Sequence, residues 1–169
     1  MTRILGVDPG SGSTGYGIIE SDGSHHSAVV YGAVRSTARL PFPARLLKIY
    51  AELNRVLDSD CVQAMAVEEV FHAANVQSAL KLGHVRGIVI LAAAQHSVPV
   101  FEYSPLEIKN AVVGYGRAEK AQVQSMVRFL LCLSAPPTPC DAADALAVAI
   151  CHSHHAFAAD CLSAAEAQR

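Results

Sequence analysis

Residues 140 to 150, Cys-Asp-Ala-Ala-Asp-Ala-Leu-Ala-Val-Ala-Ile, restrict the fold of this chain more than any other stretch. Apart from Asp141 and Asp144 the segment is apolar and rich in alanine, so it reads as a helix that is apolar on every side and therefore buried. The two acids lie three residues apart, which puts them about 60° from one another around the same helix. Thr138-Pro139 just ahead fits an N-cap followed by a proline at the first helical position. Capping would account for Asp141 but leaves Asp144 unexplained. A buried carboxylate without a partner costs several kcal/mol, so the pair needs a cation.

The chain offers other oxygen ligands on strand-like segments. Ile4-Leu5-Gly6-Val7-Asp8-Pro9-Gly10 is a short apolar run that stops on a carboxylate and turns. Beyond the Gly/Ser-rich turn, Tyr16 to Glu20 reads as a second strand and Ala28 to Arg35 as a third, giving three consecutive antiparallel strands. The period then changes: Leu46, Ile49, Tyr50 and Leu53 recur at helical spacing within Ala44 to Leu53. Met65 to Phe71 reads as a buried strand whose Glu68 and Glu69 point to opposite sheet faces, so only one of them can share a site with Asp8. A long helical pattern over 76 to 96 carries Gly83 and Gly87 one turn apart, small residues that allow close helix approach. Val98 to Tyr103 is a fifth strand, with Pro99 suited to its start or to an edge position. Helical segments follow near 104 to 112 and 119 to 132, and no internal repeat interrupts this order.

At 169 residues the chain can bury one real core, and one domain over 1–156 with a flexible C-terminal tail over 157–169 is expected. Hydrophobic residues at 51% exclude disorder, and no run reaches the roughly 18 uninterrupted apolar residues of a membrane span. With no secretory signal visible at the N-terminus, a cytoplasmic location without membrane association is expected. The five cysteines lack paired spacings and read as reduced thiols, and Cys151-His152-Ser153-His154-His155 reads as a polar helix end. A net charge of -2 argues against a general nucleic-acid coat protein. Two divalent cations among four clustered acids would bring the total to +2, which weakens that objection.

Magnesium prefers oxygen ligands and keeps several waters, so a few carboxylates on rigid elements suit it. Asp8, one strand glutamate, Asp141 and Asp144 would supply such a site if the first and fourth strands are neighbours and the last helix packs across them. Two ions held roughly 3.5–4 Å apart would serve in-line attack of water on a phosphodiester.

Taken in order, Gly6-Val7-Asp8-Pro9-Gly10 with Thr14-Gly15-Tyr16-Gly17, Ala66 to Phe71, Asn75 with Ser78 to Gly83, Phe101-Glu102-Tyr103, Val112-Val113-Gly114 and Asp141 to Ala147 resemble the RuvC family of bacterial Holliday-junction resolvases, from residue 3 to about 155. The resemblance implies an α/β chain with an RNase H-like fold, a five-stranded mixed sheet flanked by helices. It implies a structure-specific endonuclease that resolves four-way DNA junctions in recombination and repair, acting as a homodimer, with the RuvA–RuvB branch-migration complex as partner. By matching positions, Asp8, Glu68, Asp141 and Asp144 hold two Mg²⁺, with Mn²⁺ as a substitute, and Glu69 falls on the other face. Lys120 stabilises charge at the scissile phosphate, Lys109 and Lys81 face DNA, and Phe71 stacks on bases at the crossover. The helix over 76 to 96 contributes its Ala/Gly/Leu face to the dimer.

Some positions depart from the family's pattern: Gly12, Ala74, Gln77 and Leu106 stand where basic side chains are common, and His72 where an aromatic is frequent. Each phosphate left without a basic partner should weaken binding and flatten its salt dependence. Competing readings are another RNase H-like nuclease acting on RNA or other branched nucleic acid, and a catalytically silent junction-binding protein. An actin-like kinase or ATPase, whose phosphate-binding hairpin the stretch Asp8 to Gly15 also resembles, would need a second lobe for which the length leaves no room.

Overall fold

Alternation along the strands sorts the apolar side chains into two cores. Leu5, Val7, Ile18, Met65 and Val67 join Ile49, Leu53, Val85 and Val89 on one side of the sheet, whereas Ile4, Ile19 and Ala66 join Ile108, Val127, Leu146 and Ile150 on the other. The computed structural model describes residues 1–37, 39–69 and 75–167. Its elements are β1 (Thr2–Asp8), β2 (Ser13–Ser21), β3 (His26–Arg35), α1 (Phe42–Ser59), β4 (Ala64–Glu68), α2 (Val76–Gln95), β5 (Val100–Tyr103), α3 (Pro105–Val113), α4 (Lys120–Leu130) and α5 (Cys140–Ala167). The sheet order is β3-β2-β1-β4-β5. β1 pairs antiparallel with β2 and parallel with β4, and β4 pairs parallel with β5, so the sheet is mixed. Helices α1 and α2 cover one face and α3, α4 and α5 the other.

Three glycines let α5 lie directly on the strands. Gly6 of β1 is opposite Gly17 of β2, and Asp8 is opposite Gly15. A Cβ at Gly6 would collide with the Ala145 carbonyl, one at Gly15 with the Asp141 carbonyl, and one at Gly17 would come within 2.7 Å of Leu146. Glycine inside a strand otherwise weakens it, and here it permits the close approach of a second backbone. Residues Ala145 to Cys151 are consequently almost wholly inaccessible.

Several boundaries differ from those the sequence implies. α1 extends to Ser59 because Val56 and Leu57 continue its buried stripe. β4 stops at Glu68 and β5 starts at Val100, with β5 at the sheet edge beyond Pro99. α5 begins at Cys140, so Pro139 precedes the helix instead of opening it. The same helix continues unbroken past residue 156 to Ala167, and no change of element marks the expected start of a tail. In α2 the buried residues are Val85, Val89, Ala92 and Ala93, while Val76, Leu80, Ile90 and Leu91 are exposed. Gly83 and Gly87 have open space where a Cβ would sit, so within one chain they allow no close helix approach. By length and hydropathy α2 is the one helix among the described residues that would cross a membrane, but its buried stripe packs on α1 and it carries Lys81 and Arg86.

Candidate metal centre

The carboxylates converge at the end of the sheet where β1 and β4 finish. The parallel register aligns Gly6 with Ala66 and Val7 with Val67, so the next step puts Asp8 beside Glu68. Asp8 lies four residues beyond Ile4 and Glu68 two beyond Ala66, both members of the α5-side core. That even spacing directs the two acids to the same face and sends Glu69 to the opposite one. The Glu69 N–H donates to the Tyr103 carbonyl at 2.8 Å, extending the pairing with β5. α5 crosses above and contributes Asp141 in its first turn and Asp144 one turn later.

Oxygen atoms of Asp8, Asp141 and Asp144 lie within 4.8 Å of one another. Asp8 and Asp144 also line a cleft of about 380 Å³ together with Glu68, Lys109 and Lys120, walled by Pro105, Ile108, Val123 and Ala147. Asp8 and Asp144 thus belong to both groups, Glu68 to the cleft and Asp141 to the triplet. The Asp141 carboxylate accepts from Ser13 Oγ at 2.8 Å and lies 3.7 Å from the Arg35 guanidinium, so it is held across the sheet by the first residue of β2 and the last of β3. Those two residues are register partners.

The lysines are placed by helix starts. Ser104 and Glu107 form a reciprocal cap for α3, with Pro105 as its first residue, and α3 carries Lys109 to the cleft wall. Lys120 is the first residue of α4, where the Gln122 side chain accepts from the Glu119 N–H at 2.8 Å. Its Nζ donates to Asp144 Oδ2 at 2.5 Å, and this bond lifts the Lys120 pKa above the ordinary lysine range. Lys81 is exposed on α2 and is not part of the cleft wall. Phe71, with His72 and Ala74, lies outside the described residues.

Crowding of carboxylates in a partly buried site favours their neutral forms. Burial, with Asp144 next, raises Asp8 to about 6, and burial, with Asp8 next, raises Glu68 to about 8. Four acids against Lys120 on Asp144 and Arg35 near Asp141 leave an acid excess that a hard cation would neutralise, and an all-oxygen donor set suits a hard divalent ion.

Comparison with known proteins decides the family. The model of the family described as crossover junction endodeoxyribonuclease RuvC matches residues 4–152. This chain belongs to the RuvC family. The RuvC protein of Alkaliphilus oremlandii is 49% identical over 151 residues, covering 89% of this chain and 92% of that relative. The RuvC protein of Koribacter versatilis is 52% identical over 153 residues, covering 90% and 92%. Among solved structures, T. thermophilus RuvC in complex with a Holliday junction substrate superposes with a TM-score of 0.88 at 34% identity, covering 92% of this chain and 95% of that one. The yeast mitochondrial resolvase Ydc2, at 11% identity and a TM-score of 0.62, shares the fold. The mixed five-stranded α/β architecture is therefore the RNase H-like fold of RuvC.

Sequence reasoning named all four acids and missed the pair that holds one of them. Ser13 sits in a Gly/Ser turn and Arg35 closes a strand, and neither position carries a local signal. Only the β2–β3 register brings both to Asp141.

Proposed function

We propose that residues 1–156 form a metal-dependent endodeoxyribonuclease domain that resolves Holliday junctions by paired, symmetric hydrolysis, with Asp8, Glu68, Asp141 and Asp144 as its metal ligands. The observation that carries this reading is the convergence of acids from β1, β4 and α5 at one end of the sheet in a chain of the RuvC family. The solved relative is bound to a Holliday junction substrate, and the same substrate class suits this chain. Two Mg²⁺, replaceable by Mn²⁺, would be held by Asp8, Glu68, Asp141 and Asp144. Bound ions of this kind supply the charge that activates water and neutralises a leaving oxygen in phosphodiester hydrolysis.

The chain's own residues do the rest. Ser13 and Arg35 fix the Asp141 carboxylate before any ligand arrives. Lys120 pairs with Asp144 at the cleft floor, with 60% of its side chain still exposed to the space a phosphate would enter. Lys109 stands on the same wall as a second cation for the DNA strand, and Phe71 and Lys81 are assigned to DNA contact by their positions in the family pattern. The apolar wall of Ile108, Val123 and Ala147 limits water on one side of the acids.

Two opposed cuts need two active sites related by a two-fold axis, which an isologous homodimer provides. The exposed stripe Val76, Leu80, Ile90 and Leu91 on α2, with the open Gly83 and Gly87 along it, suits that interface better than a membrane. A protein that acts on chromosomal junctions works in the cytoplasm, with RuvA–RuvB as its motor. The test is cleavage of a fixed four-way junction and of an RNA–DNA hybrid with and without Mg²⁺. Mg²⁺-dependent paired nicks in the junction are expected; cleavage of the hybrid alone would overturn the reading.

A further inference from the structure

Beyond the acids, positive charge is concentrated on one short part of the chain. Between positions 35 and 55 stand Arg35, Arg39, Arg45, Lys48 and Arg55 against the single acid Glu52, in a protein whose net charge is -2. Three of these basic residues line a groove of about 490 Å³ between the edge strand β3 and α1. The groove opens at the catalytic end, because Arg35 is both its end residue and the cation 3.7 Å from Asp141.

The charges in the groove are unequally compensated. Glu52 is tied down three times, accepting from the Tyr16 hydroxyl at 2.7 Å and from Arg55 through Nη2 at 2.8 Å and Nε at 3.1 Å, so Arg55 is the partly compensated cation of the three. Lys48 Nζ donates to the Arg35 carbonyl at 2.7 Å, a neutral acceptor that leaves its charge uncompensated and two of its hydrogens available. Arg35 is 66% exposed and meets Asp141 beyond hydrogen-bond distance. A bound anion would therefore find net positive charge and open donors. From Lys48 to Arg55 the helix rises about 10 Å, close to the rise of three nucleotides along one DNA strand at about 3.4 Å each.

Resting on the junction-resolvase reading, we propose that the β3–α1 groove is a second DNA-contact track, in which Arg35, Lys48 and Arg55 hold the phosphodiester backbone of a junction arm leaving the metal centre. Lys48 and Arg55 stand on α1, on the opposite sheet face from Lys109 and Lys120, while Arg35 reaches from the sheet edge to Asp141 of α5, so an arm held here would run along that edge from the metal centre toward the α1 side. An acidic protein partner would be drawn to the same charge, but continuity with the catalytic end through Arg35 favours the nucleic acid that must reach that end.

The experiment is fluorescence anisotropy of a labelled fixed four-way junction with the full chain, in EDTA so that strands stay intact, at several salt concentrations. Lys48→Ala and Arg55→Ala should each raise Kd at least about threefold and lower the salt slope by about 0.9, one phosphate contact each. Glu52→Gln keeps an acceptor for Tyr16 while removing the opposing charge, and should tighten binding, a direction that no folding defect would produce. Unchanged Kd and slope in all three variants, with junction cleavage by the unsubstituted chain intact, would overturn this proposal alone and give the groove to another partner. Failure of the unsubstituted chain to bind or cleave the junction would overturn the resolvase reading and this track with it.

Discussion

Helices α2 and α5 look alike as sequences, long and apolar on most sides, yet the chain treats them in opposite ways. α5 lies over three strand glycines, and its Ala145 to Cys151 segment is almost wholly inaccessible. α2 buries only Val85, Val89, Ala92 and Ala93 and leaves Leu80 and Ile90 in the open. What separates them is the partner surface. A sheet pared back to glycine at Gly6, Gly15 and Gly17 accepts the Ala145 to Cys151 stretch of α5 on every side, whereas α1 covers one stripe of α2 and no more. The first arrangement fixes acids within one chain; the second leaves an apolar face exposed. An apolar helix therefore states that it must be covered without stating by what.

The contrast can be broken from the α5 side first. Asp144→Asn should lower Mg²⁺-dependent junction cleavage by roughly 10³-fold or more, as expected for loss of a group that supports transition-state charge, and the Lys120 pKa should fall because Asp144 is what raises it. Single-turnover cleavage and lysine titration by NMR read the two effects. From the α2 side, Leu80→Glu with Ile90→Glu should convert a dimer to monomer on sedimentation at micromolar concentration, since burying glutamates unpaired costs several kcal/mol. Thermal unfolding of the protomer should hardly move, because neither side chain belongs to the protomer's core. A sedimentation profile unaffected by the double substitution would remove α2 from the interface.

Smaller effects sharpen the same contrast. Gly6→Val pushes α5 off β1 and should destabilise the fold by about 1–3 kcal/mol, while Gly83→Ala on α2, facing open space, should be neutral or slightly stabilising. Denaturant unfolding compares them. The acid end of α5 should also respond to pH where α2 does not. Asp8 and Glu68 titrate near 6 and 8 when folded, against ordinary values of 3.8 and 4.5. The folded metal-free protein therefore holds protons that the unfolded chain has already released, and its stability declines as pH rises from about 4 to 8. Metal binding displaces those protons, so apparent Mg²⁺ affinity should climb between pH 6 and 8, by up to about tenfold per unit for each proton released. Calorimetry showing a flat affinity across that window would contradict the shifts.

Apolar periodicity, with β-branched runs, turn residues and caps, was enough in the sequence to locate the five strands and five helices of the described residues. The sequence pattern misjudged ends where the stripe simply continues, as at Val56 and Leu57 in α1. Asp141 and Asp144 stood out as charge inside an apolar helix, whereas strand alternation said only that one of Glu68 and Glu69 can join Asp8, and the family resemblance chose Glu68. Ser13 and Arg35 were not legible, since their approach to Asp141 depends on the register between β2 and β3. The meaning of Gly6, Gly15 and Gly17 was equally hidden: as residues they announce turns or weak strands, and only the crossing of α5 gives each its purpose.

The central claim is that Asp8 joins acids from β4 and α5 in one metal centre. Asp8→Asn, assayed with a fixed four-way junction, tests it most directly. The prediction is that Mg²⁺-dependent cleavage disappears while junction binding persists; cleavage surviving the substitution would contradict the assignment.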